Sequence, residues 1–313
     1  MSTDRDEEGD MMLCCASCGI AGVDDIKLKT CTACKSVRYC SVKCQRDHRP
    51  HHKQSCKKRA AELRDELLFK QPESSHLGDC PICFLPLELD EEKSTIYTCC
   101  SKTICDGCNY SNSVRESQES LEPRCPFCRK LAGGLSTANQ NTMRRIAAND
   151  PVAMFEFGTA RNNDGDYSSA IEYWTKAAEL GDFNSHFALA ECYRNGQGVE
   201  KDKKREYFHL EVAAIGGHAM ARHNLGCNEA SIGKIEKANK HFIIAANLGY
   251  DKSIQSLKLH YQVGVVSKED FAAALRAHQA AVNATKSPQR EAAEEAKQSG
   301  RFRLLRRDSS FSG

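Results

Sequence analysis

Two kinds of apolar patterning share this chain. Beyond residue 150, alanine and leucine recur at helical spacing. The string Ala-Ala-x2-Gly returns as AAELGD from Ala177, AAIGGH from Ala213 and AANLGY from Ala245. Those starts lie 36 and 32 residues apart, and Ala280-Ala281 falls another 35 on. A unit of that length is one helical hairpin, which buries its apolar face only against a neighbouring copy, so the pattern predicts a stack of hairpins. The fullest unit is Phe187–Ala219. There Gly196 and Gly198 allow the turn, while Ala190, Ala213 and Ala214 permit close approach of the helices. Leu189, Tyr193, Phe208 and Leu210 fill the seam, and Gly181, Gly217 and Gly249 end the second helix of each unit. A first unit is expected over Val152–Asp182 with Trp174 in its second helix, a third over Ala219–Tyr250 with a shorter turn, and a degenerate fourth ending near Asn283.

Before residue 130 aliphatic residues are sparse, and only KKRAAELRDELLFK (Lys57–Lys70) has helical spacing, at Ala61, Leu63, Leu67 and Leu68. Cysteine takes their place. Sixteen of the eighteen cysteines lie between Cys14 and Cys128, leaving only Cys192 and Cys227 beyond. The acidic N-terminus, MSTDRDEEGD, has no apolar segment of a secretory signal, so a reducing compartment, cytoplasmic or nuclear, is expected. There metal binding, rather than disulfides, is the reading for so many thiols. The net charge of +2 gives no overall basic field for nucleic acid, and the basic run Lys53–Arg59 lacks a base-reading helix. No window approaches the ~18 apolar residues of a membrane span.

The first cluster pairs Cys15 with Cys18 and Cys31 with Cys34, then continues with Cys40-x3-Cys44 and His52-x3-Cys56. Each C-x2-C turn brings two thiolates to one zinc, a tetrahedral site needs two such pairs, and eight ligands make two sites. His52 and Cys56 fall on one face of a short helix. Cys14, His48 and His51 are out of step with the spacing and read as bystanders. The ligand order, with RYC before the third pair, resembles the MYND zinc finger. That resemblance implies interleaved sites, Cys15, Cys18, Cys40 and Cys44 on one zinc and Cys31, Cys34, His52 and Cys56 on the other. It also implies binding of short proline-containing peptides, for which Gln45 matches a contact residue while Arg49 replaces an apolar tryptophan.

The second cluster has C-x2-C pairs at Cys80/Cys83, Cys105/Cys108 and Cys125/Cys128, around the doublet Cys99-Cys100. Its order resembles an all-cysteine RING domain. The usual central histidine would fall on Lys102, whose ammonium has no lone pair to donate. The resemblance then implies Cys80, Cys83, Cys105 and Cys108 on one zinc, and Cys99, Cys100, Cys125 and Cys128 on another. Thiolates about 3.8 Å apart are compatible with adjacent Cα atoms ~3.8 Å apart, provided that the doublet sits in a turn. Two readings stand: both doublet thiols ligate, or one does and water completes the site. The family holds a ubiquitin-charged E2 enzyme for transfer, which implies E2 contacts at Ile82 and Pro126 and a bridge to ubiquitin at Arg129. Asn112 stands where many ligases carry tryptophan.

The Phe187–Ala219 unit closely resembles a Sel1-like repeat, a relative of the tetratricopeptide hairpin, which implies a concave surface for protein partners. Cys192 and Cys227 read as small core residues, and the repeat histidines show no pairing that defines a site. No nucleophile–base constellation is legible there.

The expected fold class is multidomain, two small zinc-stabilised α+β cross-brace domains followed by an all-α solenoid of helical hairpins. The expected divisions are a disordered 1–13, a MYND-like finger 14–57, a helical linker 58–78, a RING-like domain 79–130, a linker 131–148, repeats 149–285 and a disordered basic tail 286–313. Ser309, after Arg306-Arg307-Asp308, resembles a basophilic kinase site. The expected cofactor is zinc, four ions, two per cross-brace. Expected partners are proteins at the repeats, an E2 and ubiquitin at the RING-like domain and short peptides at the finger.

Overall fold

A computed structural model describes residues 14–22 and 27–300, which form two bodies divided between Lys70 and Gln71. The expectations for 1–13 and for Ser309 lie outside the described residues.

The first body holds a two-stranded antiparallel sheet, β1 (Lys29–Thr30) with β2 (Arg38–Tyr39), and one long helix, α1 (Val42–Leu68). Ser41 starts α1 by accepting the Cys44 amide on its hydroxyl, which satisfies one orphan donor of the first turn. The short helix expected at His52 and the segment expected at 57–70 are thus one helix of 27 residues. It also carries the basic run Lys53–Arg59, and Arg59 pairs with Glu62 and Glu66. The core here is mostly sulfur, with Cys15, Cys31, Cys34 and Tyr39 buried and Leu28 and Val37 packed against them.

The second body begins with a hairpin, β3 (Ser94–Tyr97) and β4 (Lys102–Cys105), followed by α2 (Asp106–Gln118). Leu87 and Ile104 are its buried aliphatics. Buried Asn109 of α2 holds β3, accepting from the Tyr97 hydroxyl (2.5 Å) and donating to Thr95 Oγ1 (3.4 Å).

The solenoid follows as α3 (Leu135–Ala147), α4 (Pro151–Asn163), α5 (Tyr167–Glu179), α6 (Phe183–Asn195), α7 (Lys203–Ile215), α8 (Ala219–Ser231), α9 (Ile235–Asn247), α10 (Asp251–Gln262) and α11 (Lys268–Ala284). Successive helices pair as hairpins, as the period predicts. Asp150, Asp166, Asp182 and Asp202 cap helix starts through their carboxylates. Gly181, Gly217 and Gly249 take positive φ of 91°, 85° and 90° just past the second helices, the left-handed exit expected of them. Hairpin seams close on small residues: a Cβ at Gly158 would lie 2.7 Å from the Trp174 ring, and one at Gly226 would lie 2.6 Å from Phe242. The third turn is short, three residues around Gly233, against seven between α6 and α7.

An expected linker and part of the expected tail are ordered helices. Residues 135–147 of the expected polar linker form α3, which packs on α4, and Thr142 is buried. Within the tail expected to be disordered from 286, Pro288–Gln298 instead form α12, capped by the Ser287 hydroxyl and packed against α2, while residues 301–313 lie outside the described residues. Among the described residues, no helix is long and apolar enough to cross a membrane.

Candidate metal centres

Four short loops build the sites, and they share one backbone design. At Cys15, Cys80 and Cys125 the amide donates to the carbonyl five residues on, Ile20, Leu85 and Lys130. At Cys31 the acceptor is Val37, one residue further. In all four loops the carbonyl of that first cysteine accepts the amide four residues on, from Gly19, Lys35, Phe84 and Arg129. Those four residues all have positive φ, 74°, 58°, 57° and 62°. The left-handed residue closes the knuckle, so both sulfurs of each C-x2-C point to one side. Three of the four are not glycine, a conformational cost of order 1–3 kcal/mol each that persists only where the surroundings over-determine the loop.

These knuckles gather sixteen side chains into four groups, and within each the ligand atoms lie within 4.8 Å of one another. The groups are Cys15, Cys18, Cys40 and Cys44; Cys31, Cys34, His52 and Cys56; Cys80, Cys83, Cys105 and Cys108; and Cys99, Cys100, Cys125 and Cys128. Individual separations run from Cys99–Cys128 at 3.3 Å, through Cys18–Cys40 at 3.6 Å and Cys83–Cys105 at 3.7 Å, to Cys31–Cys56 and Cys100–Cys125 at 3.8 Å. The edges of a zinc–thiolate tetrahedron are ~3.8 Å, so the donor sets fit that ion. Electrostatics point the same way. A hydrogen bond from Cys105 holds the Cys80 thiol well below its ordinary range, and the same contact pushes Cys105 up. Clustered sulfurs cannot all ionise beside one another without a cation, and a zinc ion would replace the protons they share.

The other members of the groups come from the segment between β2 and α1 (Cys40), from α1, from the turn between β3 and β4, from the end of β4 (Cys105) and from α2 (Cys108). Cys44, His52 and Cys56 lie along α1, and His52 Nε2 is 3.2 Å from Cys34 Sγ. With Nδ1 donating to Ser55 Oγ at 3.3 Å, Nε2 is left to ligate. His48, expected to be solvated, is half-buried: its ring stacks on His52 at 5.5 Å, and Nδ1 is 3.1 Å from the Tyr39 hydroxyl. Cys14 joins no group and bridges to Ala21.

The doublet sits in the tight turn that adjacency demands. Cys100 and Ser101 both donate their amides to the Tyr97 carbonyl, and Ser101 takes φ 54°. Arg145 of α3 braces this turn, its Nε donating to Ser101 Oγ (3.2 Å) and to the buried carboxylate of Asp150 (2.6 Å). Buried Glu116 of α2 accepts the Arg124 amide at 3.0 Å and anchors the last knuckle.

The three residues expected to contact an E2 or ubiquitin differ in placement. Ile82 is 37% exposed and Arg129 is exposed, whereas Pro126 is buried. Phe84 and Phe127 are the exposed aromatics of these knuckles, Phe84 at 76%. Asn112 is engaged, accepting from Arg129 Nη1 at 3.1 Å and donating to the Arg124 carbonyl at 3.4 Å. On α1, Gln45 and Arg49 are both exposed.

The solenoid corrects one expectation. Cys192 is buried between α5 and α6, but Cys227 is exposed, with Sγ 3.4 Å from His223 Nε2. His223 Nδ1 lies 2.9 Å from Ser253 Oγ, and His186 and His209 face each other at 2.9 Å. The i,i+4 spacing of His223 and Cys227 was visible in the sequence; Ser253, from the next unit, was not. Although Cys227 is exposed as a residue, partial desolvation of its sulfur raises the thiol, and burial lowers the His223 imidazole, so both shifts favour neutral groups over a thiolate–imidazolium pair.

Comparison with known proteins places names on two parts of the chain. Residues 15–56 match the MYND finger, and residues 145–182, 184–218 and 219–250 match the Sel1 repeat. The chain is 31% identical over 91 residues to chitin synthase regulatory factor 4 of Schizosaccharomyces pombe, covering 29% of this chain and 14% of that one. It is 28% identical over 113 residues to an exopolysaccharide production negative regulator of Rhizobium leguminosarum bv. viciae, covering 36% and 42%. The chain therefore spans less than half the length of either relative. Among solved structures it is similar to a Sel1 repeat protein from Oxalobacter formigenes, with 26% identity, TM-score 0.36 and coverage of 38% and 96%. It is also similar to a protective antigen of uropathogenic Escherichia coli displaying an SLR fold, with 22% identity, TM-score 0.41 and coverage of 47% and 34%. The chain thus carries a MYND finger at residues 15–56 and, from residue 145, an all-helical solenoid of Sel1 repeats.

Proposed function

We propose that this chain is a zinc-organised protein-interaction adaptor whose second cysteine cluster is a RING-like module able to hold a ubiquitin-charged E2. In this reading the Sel1 repeats present the partner or substrate. The observation that carries it is the cross-braced pairing of residues 80–128 into two four-cysteine groups, with Ile82 and Arg129 exposed on the first and last knuckles. All sixteen grouped residues, Cys99 and Cys100 included, are proposed as ligands of four zinc ions. A RING ligase does no covalent chemistry; it positions the E2 thioester for attack, so the residues that matter are surface residues. The exposed Gln45 and Arg49 offer a second contact surface on the finger, for short peptides. Both curated relatives bear regulatory names, which suits a chain that works through partners.

The competing reading, a zinc scaffold without ubiquitin transfer, draws on the burial of Pro126 and on the engagement of Asn112 with Arg129. E2-dependent autoubiquitination separates the two. The ligase reading expects ubiquitin chains with the wild type, and their loss in Ile82→Ala and Arg129→Ala while zinc content is retained. No chain formation across a broad E2 panel would leave the scaffold.

A further inference from the structure

The C-terminal helix α12 reaches back over about two hundred residues of chain to the third cysteine group. We infer that Arg290 of α12 is the counter-charge of a zinc site formed by Cys80, Cys83, Cys105 and Cys108, and that α12 is therefore a structural part of the RING-like module. The inference rests on reading that group as a zinc site.

Arg290 is only 7% exposed. Its Nη1 donates to the Pro86 and Thr285 carbonyls, both at 2.7 Å, and its Nη2 points to the Leu85 carbonyl at 3.3 Å and to Cys83 Sγ at 3.7 Å. Three of those four partners, Cys83, Leu85 and Pro86, belong to the first knuckle. Among the described residues, no carboxylate is hydrogen-bonded to this guanidinium. A buried cation is costly unless an anion balances it. A zinc ion held by four thiolates carries a net charge of about −2, and it supplies that anion at the sulfur that Arg290 already touches. The pairing works both ways: the guanidinium offsets excess negative charge on the thiolates, and its fork fixes the loop that carries Cys83.

The sequence around the ligands is built for this contact. Gly107, between Asp106 and the ligand Cys108, lies under the start of α12, and a Cβ there would come within 2.8 Å of the Arg290 amide nitrogen and 2.9 Å of its Cγ. Asp106, buried beside the ligand Cys105, pairs with Lys297 one end of α12 away, and Lys297 also donates to the Glu92 carbonyl at 2.7 Å. Lys93 and Glu294 close a third link at 2.9 Å. Ala293 and Ala296 supply the small, buried face between these polar contacts.

The test uses the full-length zinc-loaded chain and two readouts at neutral pH. One is the rate of zinc transfer to a chromogenic chelator; the other is alkylation by N-ethylmaleimide, mapped cysteine by cysteine with mass spectrometry. Arg290→Gln is expected to speed release of one zinc by roughly tenfold or more, with Cys83 and Cys108 alkylated first and the other three groups unchanged. Arg290→Lys, which keeps the charge without the fork, should restore part of the protection. Gly107→Ala, which displaces α12 while keeping every ligand and Arg290, should give the same site-selective loosening. Unchanged release and alkylation in Arg290→Gln would overturn the inference, as would equal acceleration at all four groups, which marks general loss of structure. Wild-type protein holding zinc only on residues 15–56 would overturn the metal reading of the second cluster itself, and is seen before any variant is made.

Discussion

Single residues decide the chemistry of the N-terminal part, and many were legible from spacing alone. Each C-x2-C pair and the His52-x3-Cys56 pair fall where a tetrahedral ion needs them, and the structure gathers all sixteen into four groups. The partners from outside each motif were not legible. Arg145 braces Ser101 and Arg290 meets Cys83 across 44 and 207 residues of chain, separations that no local spacing signals. The doublet shows what local geometry adds. Cys99 lies 3.3 Å from Cys128, while Cys100 lies 3.8 Å from Cys125, so each thiol has its own partner in the group. Cys99→Ser and Cys100→Ser are therefore each expected to lose one zinc ion, measured by metal analysis of the purified variants. Loss in one variant only would make the other thiol a passenger.

At the scale of elements, strongly periodic helices were easy to read and polar ones were not. The Ala-Ala-x2-Gly units became α5, α7 and α9 with their glycines at left-handed exits. Helices α3 and α12 read as linker and tail in the sequence because their buried faces are narrow. In α12 that face is Arg290, Ala293 and Ala296, which no hydrophobic pattern would signal. A similar contact joins the segment before the third cysteine group to the repeats. His76 stacks on His218 at 4.0 Å, His218 stacks on Phe187 at 4.4 Å, and the His76 amide donates to the Gly217 carbonyl. Burial lowers His76 to about 4 and also lowers His218, so the stack is built from neutral rings. As pH falls below ~6.5 the unfolded chain takes up these protons first, so stability is full above that pH and declines down to about 4. For His76 alone the loss is roughly 3 kcal/mol. Chemical denaturation should accordingly show a shallower fall between pH 7 and pH 5 in His76→Gln than in the wild type. Identical slopes would mean that the stack does not hold this junction.

On the scale of the whole molecule, two solutions to the same problem stand in series. The solenoid buries leucine, alanine and aromatic side chains between stacked hairpins, with Leu189, Leu210, Leu225 and Leu257 nearly inaccessible to solvent. Residues 15–128 have few such side chains and bury cysteine instead, so their folded state depends on what the thiols hold. Structural zinc contributes ~10–16 kcal/mol per site, enough to replace the missing apolar core. Both cysteine clusters, and not only the MYND finger, are thus proposed as zinc modules. The zinc-to-protein ratio of the intact chain, read by native mass spectrometry, tests this proposal most directly. Four zinc ions per chain are predicted, one for each group. A ratio of two, with Cys80 through Cys128 free to alkylate, would contradict it.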